Sequence, residues 1–279
     1  MVTRRDWLTQ ATAALTAAGC EDAAFDARCL LEDLGGLPRG RAVDDTPLTD
    51  GQRTVLTRAL TQRVEGRPLQ YILGQWDFLT LTLQVGEGVL IPRPDTELLC
   101  EAAAKRLQGI TAPRVLDLCA GTGCVGLGVA SLTPGAVVTA VELSQEAMPY
   151  LQENRRRYPA LDVTVRQADV LADYDAFTDV YDAILSNPPY IPTDELAGLQ
   201  REVQREPQMA LDGSEDGLLF YRVIAEHWCE KLAPGGFCAL EVGIGQAAQV
   251  AALFAAAGLA NTEILQDLAG VDRVVVARK

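Results

Sequence analysis

The sequence predicts an α/β protein: a seven-stranded, mostly parallel, doubly wound sheet, preceded by a small all-helical region and a β-hairpin. Three observations carry this. From Pro113 onward, short apolar runs alternate with helical stretches. The first of those runs, Val115-Leu116-Asp117-Leu118, opens into a glycine-rich turn and then a helix. Ahead of Gln75 the apolar positions show only a helical period, and there the pattern changes to alternation. The 279 residues suffice for one large domain and a smaller one. The boundaries read as a helical domain over 1–73, a hairpin linker over 74–94 and an α/β domain over 95–279.

In the helical region, Trp7, Leu8, Ala11 and Leu15 fall on one face, and Gly19 suits the helix end. A second amphipathic stretch runs from Ala23 to Leu34 and stops at Gly35-Gly36. A third runs from Thr49 to Val64, with Leu56, Leu60 and Val64 on one face, and Gly66 and Pro68 end it. This region suits a plain helical cap or a module that docks a partner protein; composition does not separate the two. Leu79, Leu81, Leu83 and Val85 then alternate with polar residues, as in a half-buried strand. Gly86-Glu87-Gly88 is the expected reversal, with Val89-Leu90-Ile91 returning. A helix is expected from about Asp95 to Leu107, with Asp95, Thr96 and Glu97 at its positive end.

The strands of the α/β domain follow in order. After Val115–Leu118, the second is Val137 to Val141 and ends at Glu142. Val163 to Arg166 is the third and precedes Ala168-Asp169-Val170. Tyr181 to Leu185 is the fourth and runs into Asn187. Phe237 to Val242, Asn261 to Leu265 and Arg273 to Ala277 complete the sheet.

Composition narrows the function. The formal net charge of −14 repels bare nucleic acid, and the densest basic cluster, Arg155-Arg156-Arg157, reads as the solvated face of a helix. The seven cysteines are scattered without a Cys-x-x-Cys, which suits free thiols in a reducing compartment and no metal site. His227 is the only histidine, so a His-based catalytic pair is excluded. Thr3-Arg4-Arg5-Asp6-Trp7-Leu8 looks like an export signal, but Thr9, Gln10, Thr12 and Thr16 make the following stretch too polar. The expectation is a cytoplasmic monomer with no membrane contact and no direct nucleic-acid partner.

The most informative stretch is Asn187-Pro188-Pro189-Tyr190. Pro188 and Pro189 have fixed φ and no N–H, so the chain must leave the sheet there. Open α/β sheets bind ligands at such strand ends. The Asn187 amide oxygen and the Pro188 carbonyl are two acceptors, spaced to hold both hydrogens of one planar –NH2 group. Tyr190 can supply a flat face beside it. An amide nitrogen is a poor nucleophile, so orientation and electrostatic preorganisation are the effective means of making it react.

Gly121-Thr122-Gly123-Cys124-Val125-Gly126 satisfies Gly-x-Gly-x-x-Gly, which alone fits any nucleoside cofactor. Glu142 is placed to hold ribose hydroxyls in either an NAD enzyme or a methyltransferase. Asp117 lies where a carboxylate could reach the amino-acid end of a cofactor, directly or through water. Asp169 is placed to meet an adenine amino group. Asn187 to Tyr190 has no role in hydride transfer, which favours methyl transfer.

Asn-Pro-Pro-Tyr resembles the signature of S-adenosylmethionine-dependent methyltransferases that modify planar exocyclic or amide nitrogens. Over nearly its whole length the chain resembles the PrmC (HemK) family of protein-(glutamine) methyltransferases. Pro68-Leu69-Gln70-Tyr71-Ile72-Leu73-Gly74 and Leu90-Ile91-Pro92-Arg93-Pro94-Asp95-Thr96-Glu97 look like its linker motifs. Glu206-Pro207, Ala210-Leu211, Gly217-Leu218, Leu240-Glu241-Val242-Gly243 with Gln246, and Asp267 to Arg273 also match. The helical region matches only in type.

The resemblance implies a class I, Rossmann-like methyltransferase fold. It also implies a reaction: methylation of the glutamine in the Gly-Gly-Gln motif of peptide chain release factors, leaving S-adenosylhomocysteine, with no metal. By similarity, Cys119, Ala120, Gly121, Thr122, Gly123, Glu142, Asp169 and Val170 bind the cofactor; Asp117, from its place before the glycines, and Asn187 are counted with them. Asn187, Pro188, Pro189 and Tyr190 bind the glutamine, and Asn187, Pro188 and Tyr190 are the catalytic set. Cys119 departs from the pattern, since many relatives have glycine there; a cysteine implies an ordinary negative φ. A DNA adenine N6-methyltransferase is the alternative, opposed by the acidic balance. A catalytically silent cofactor-binding assembly partner is another, opposed by the complete Asn-Pro-Pro-Tyr.

Overall fold

A computed structural model describes residues 1–279. The chain forms two compact units: Met1–Gln75 with Gln200–Arg205, and Trp76–Leu199 with Glu206–Lys279.

The first unit holds α1 (Arg4–Ala17), α2 (Ala23–Asp33), α3 (Asp50–Val64) and the short α4 (Leu69–Leu73). Thr3 and Thr49 each begin a helix with a reciprocal capping box, to Asp6 and Gln52, which satisfies amides the helix leaves unpaired. Trp7, Ala11, Leu15, Leu30, Leu31 and Leu56 are buried. The inner face of α3 is Leu56, Ala59 and Arg63, rather than the expected Leu56, Leu60 and Val64. The reason is a buried cation. The Arg63 guanidinium donates to Asp26 at 2.6 Å and to Glu202 at 2.7 Å. Hydrophobic periodicity cannot reveal a face built on an ion pair. Arg201 and Arg205 donate to the carbonyls of Val64 and Glu65, each at 3.1 Å, so residues 200–205 are integral to this unit.

The second unit opens with a hairpin of β1 (Gln75–Phe78) and β2 (Leu81–Gln84). Its reversal falls at Leu79-Thr80, with Leu79 in the left-handed region, and not at Gly86–Gly88. Val89–Ile91 forms no strand. The outer edge of β2 is already satisfied by side chains. Asn154 accepts from Gln84 N at 2.6 Å and donates to its carbonyl at 3.0 Å. Tyr158 does the same for Thr82 at 2.7 and 3.0 Å. These side chains do the pairing that a returning strand would have done.

The main sheet contains β3 (Arg114–Leu118), β4 (Val137–Glu142), β5 (Asp162–Gln167), β6 (Tyr181–Ser186), β7 (Leu232–Glu241), β8 (Ala260–Gln266) and β9 (Asp272–Arg278). Its order is β5-β4-β3-β6-β7-β9-β8, and β9 alone runs opposite to the other six strands. This is the seven-stranded, mostly parallel sheet the sequence predicts. Its faces are covered by α5 (Asp95–Leu107), α6 (Cys124–Leu132), α7 (Met148–Arg157), α8 (Leu219–Val223) and α9 (Ala247–Ala256). One apolar cluster gathers Phe78, Leu99, Val115, Leu127 and Val138; the other gathers Leu116, Ile184, Trp228 and Phe254. Successive residues of β3 therefore enter opposite cores, which is why its sequence is apolar without alternation. Strand order reverses between β3 and β6, and the crevice at their C-terminal ends is where such sheets take ligands. No helix is long and apolar enough to cross a membrane.

Candidate active site

The loop after β3 is shaped by backbone. Cys119, Gly121 and Gly123 have φ of 60°, 56° and 82°, all left-handed. Cys119 therefore does not have the ordinary negative φ its side chain implies, and it carries the steric strain that glycine would avoid. Ala120 N donates to Val141 O at 2.9 Å, tying the turn to β4. Gly126 is needed for a different reason: a Cβ there would lie 2.9 Å from Asp117 Oδ2, which accepts Gly126 N at 2.8 Å. Asp117 is 1% exposed, and its Oδ1 has no partner. Burial pushes its carboxyl up to about 8, with Glu142 adding to the effect.

Glu142 ends β4 and is pre-aimed by backbone. Its Oε2 accepts Gly121 N and its Oε1 accepts Ser144 N, each at 2.7 Å. Each oxygen keeps a further lone pair for a ligand. Asp169 Oδ1 accepts Leu171 N at 2.8 Å, which turns the chain after β5.

The loop after β6 is shaped by side chains. Ser186 donates to Leu118 O at 2.6 Å and fixes the end of β6 to that of β3. Asn187 Nδ2 donates to Thr96 Oγ1 at 3.1 Å, and Thr96 Oγ1 donates to Glu241 Oε2 at 2.6 Å. Burial pushes Glu241 up to about 7. Beyond the prolines, Gln246 Nε2 donates to Tyr190 O at 2.9 Å, and Ile191 pairs with Leu211 and Gly213. A Cβ on Gly213 would meet Tyr190 backbone at 2.8 Å, so only glycine fits there.

These loops enclose a cavity of about 430 Å³. Of the residues expected from sequence, Cys119, Ala120, Gly121, Thr122, Glu142, Asp169, Val170, Asn187 and Pro189 line it. Asp117, Gly123, Pro188 and Tyr190 are outside its lining. Tyr190 packs instead against the second apolar cluster, and burial holds its hydroxyl well above its usual range. Thr96, Glu206, Glu241 and Gln246 stand in the matching motifs, but nothing in the sequence gives them a chemical task. Glu206 is 6% exposed; it accepts Ile91 N at 2.9 Å and pairs with Arg93, holding two residues of the wall. The available signal was a glutamate inside an apolar strand run, at Leu240-Glu241-Val242.

Residues 6–74 match the family model described as the PrmC N-terminal domain, and residues 94–209 match the methyltransferase small domain. The release factor glutamine methyltransferase of Geobacter sulfurreducens is 40% identical over 264 residues, covering 93% of this chain and 91% of that protein. That of Thermodesulfovibrio yellowstonii is 36% identical over 240 residues, covering 85% of each. Among solved structures, the T. thermophilus 16S rRNA N2 G1207 methyltransferase in complex with AdoMet and guanosine gives a TM-score of 0.51 at 22% identity. That match covers 74% of this chain and 49% of the other, and it is a likeness of fold alone.

Proposed function

Because the chain belongs to the release factor glutamine methyltransferase family, we propose that it methylates the side-chain amide nitrogen of the glutamine in the Gly-Gly-Gln motif of peptide chain release factors. The resemblance noted in its motifs is thereby borne out as family membership. The cavity suits S-adenosylmethionine. Glu142 has free lone pairs for a ribose diol, Asp169 for an adenine amino group, and the turn from Cys119 to Gly123 allows close backbone approach. Asp117, with an unpartnered Oδ1 beneath that turn, is assigned to the amino-acid end, directly or through water. When bound, the cofactor supplies an electrophilic methyl on sulfonium sulfur and leaves as S-adenosylhomocysteine.

The chain's own residues then position the nucleophile. Asn187 Oδ1 accepts one N–H of the glutamine and the Pro188 carbonyl the other, with Tyr190 alongside. Holding both hydrogens aims the nitrogen lone pair at the methyl, and the nitrogen releases a proton once it carries that methyl. The reading uses positioning and electrostatics, and it needs neither metal nor strong base. The helical unit is assigned to docking the release factor, and the protein to the cytoplasm, acting as a monomer without direct nucleic-acid or membrane partners.

The observation that carries the proposal is that Asn187 lines the same cavity as Glu142 and Asp169. Methyl-labelled S-adenosylmethionine supplied with a full-length release factor, with one whose motif glutamine is replaced, and with a DNA duplex is the test. Label on the first alone is expected; label on the duplex, or on both factors equally, overturns the reading.

A further inference from the structure

The Asn187 amide can face the cavity by either end, and only one end is useful. An oxygen accepts a hydrogen from the target nitrogen; an –NH2 group would oppose it donor to donor. Something must choose the end. We propose that Thr96 and Glu241 are positioning residues that set the face of the Asn187 amide, so that its oxygen is offered to the substrate nitrogen. This rests on the glutamine-clamp reading above.

The geometry runs in one direction. Glu241 ends β7 and Asn187 follows β6, on neighbouring parallel strands paired through Ser186 and Leu240. Thr96, in the first turn of α5, bonds both. A threonine hydroxyl has one hydrogen. Thr96 commits it to Glu241 at 2.6 Å, so toward Asn187 it has only lone pairs. It therefore selects the –NH2 end of Asn187, which it meets at 3.1 Å, and the oxygen turns the other way. Thr96 is 0% exposed and Glu241 2%, so water is not present to reverse the choice. The direction requires an ionised Glu241. Once protonated, Glu241 can donate to Thr96, whose hydrogen is then free to capture the Asn187 oxygen.

Variants read this chain by single-turnover methyl transfer to a full-length release factor at saturating cofactor. Thr96→Val should slow transfer roughly three- to tenfold without changing S-adenosylhomocysteine affinity, and Thr96→Ser should restore it. Glu241→Gln supplies the sharper readout, because its effect should change sign with residue 187. In the parent, a donating Gln at 241 frees the Thr96 hydrogen toward Asn187 and slows transfer by a similar factor. In Asn187→Asp, two carboxylates compete for one hydroxyl hydrogen, so the same Glu241→Gln change should speed transfer. A purely structural role would give equal effects in both backgrounds. Equal effects, or a Thr96→Val protein with unchanged unfolding midpoint and parent rate, overturn the proposal. Asn187→Ala is the separate control: its loss of activity beside a silent Thr96→Val sinks the relay alone, whereas its retention removes the clamp as well.

Discussion

The loops after β3 and β6 leave adjacent strands, with Leu118 paired to Ser186, and are built on opposite plans. The β3 loop is backbone: three left-handed residues between Cys119 and Gly123, with Glu142 locked by two main-chain amides. The β6 loop has no left-handed residue from Asn187 to Tyr190, and the Asn187 amide proposed to hold the substrate is bonded through Thr96 of α5 to Glu241 of β7. A nucleoside presents a broad surface, and a curved main chain suits it. A single –NH2 group presents two hydrogens, so one side chain suffices if its rotation is fixed. If the proposed assignments hold, the cofactor side should tolerate a change at Asn187, and the substrate side a change at Glu142.

The largest effect that could break this contrast is at the amide. Asn187→Ala should lower single-turnover methyl transfer about 10²–10³-fold while cofactor affinity changes little. Equal loss of cofactor binding would merge the two loops into one site. The converse is Glu142→Ala. Loss of a charge-assisted partner for the ribose should weaken S-adenosylhomocysteine binding roughly ten- to hundredfold, as calorimetry would register. An unchanged affinity in the folded variant removes Glu142 from the cofactor side.

A smaller effect distinguishes the loops by pH. Glu241, raised to about 7 by burial, is opposed by Asp95 and favoured by Arg273 and Arg93, with Tyr190 and Tyr221 also near it. The competent form is the carboxylate, so transfer should fall as pH drops through about 7 and level above it. Because the protonated form should keep the residual rate expected of Glu241→Gln, the change across one unit either side should be roughly two- to fivefold. A rate profile with no inflection near 7, or one that Glu241→Gln leaves intact, contradicts the assignment. The smallest effect concerns backbone strain. Cys119→Gly removes a left-handed penalty of about 1–2 kcal/mol but adds unfolded-state entropy of about 0.5–1 kcal/mol. A net gain of up to about 1.5 kcal/mol is expected from these two terms, read as a higher urea midpoint with unchanged cofactor affinity. A destabilised variant would show that the thiol packing outweighs the strain.

The same contrast explains what the sequence disclosed. Glycines at 121, 123 and 126, and acids at strand ends, announce backbone-built sites locally, and the alternation of strand and helix announces the sheet. The Thr96–Glu241 bond joins residues 145 apart and the Asn187–Thr96 bond residues 91 apart, so neither has a local signature. Cys119 misled in the other direction: its side chain argues for a conformation that the turn between β3 and α6 does not allow. The hairpin misled because Asn154 and Tyr158, far along the chain, stand in for a strand.

The excursion of residues 200–205 into the helical unit has a consequence for biosynthesis. Domains ordinarily fold in order as they leave the ribosome. Here Arg63 and Asp26 emerge early, while Glu202 lies 139 residues beyond Arg63. Until that segment is translated, a buried guanidinium faces one carboxylate and lacks its second. The segment that completes the helical unit is therefore made only after β3 to β6.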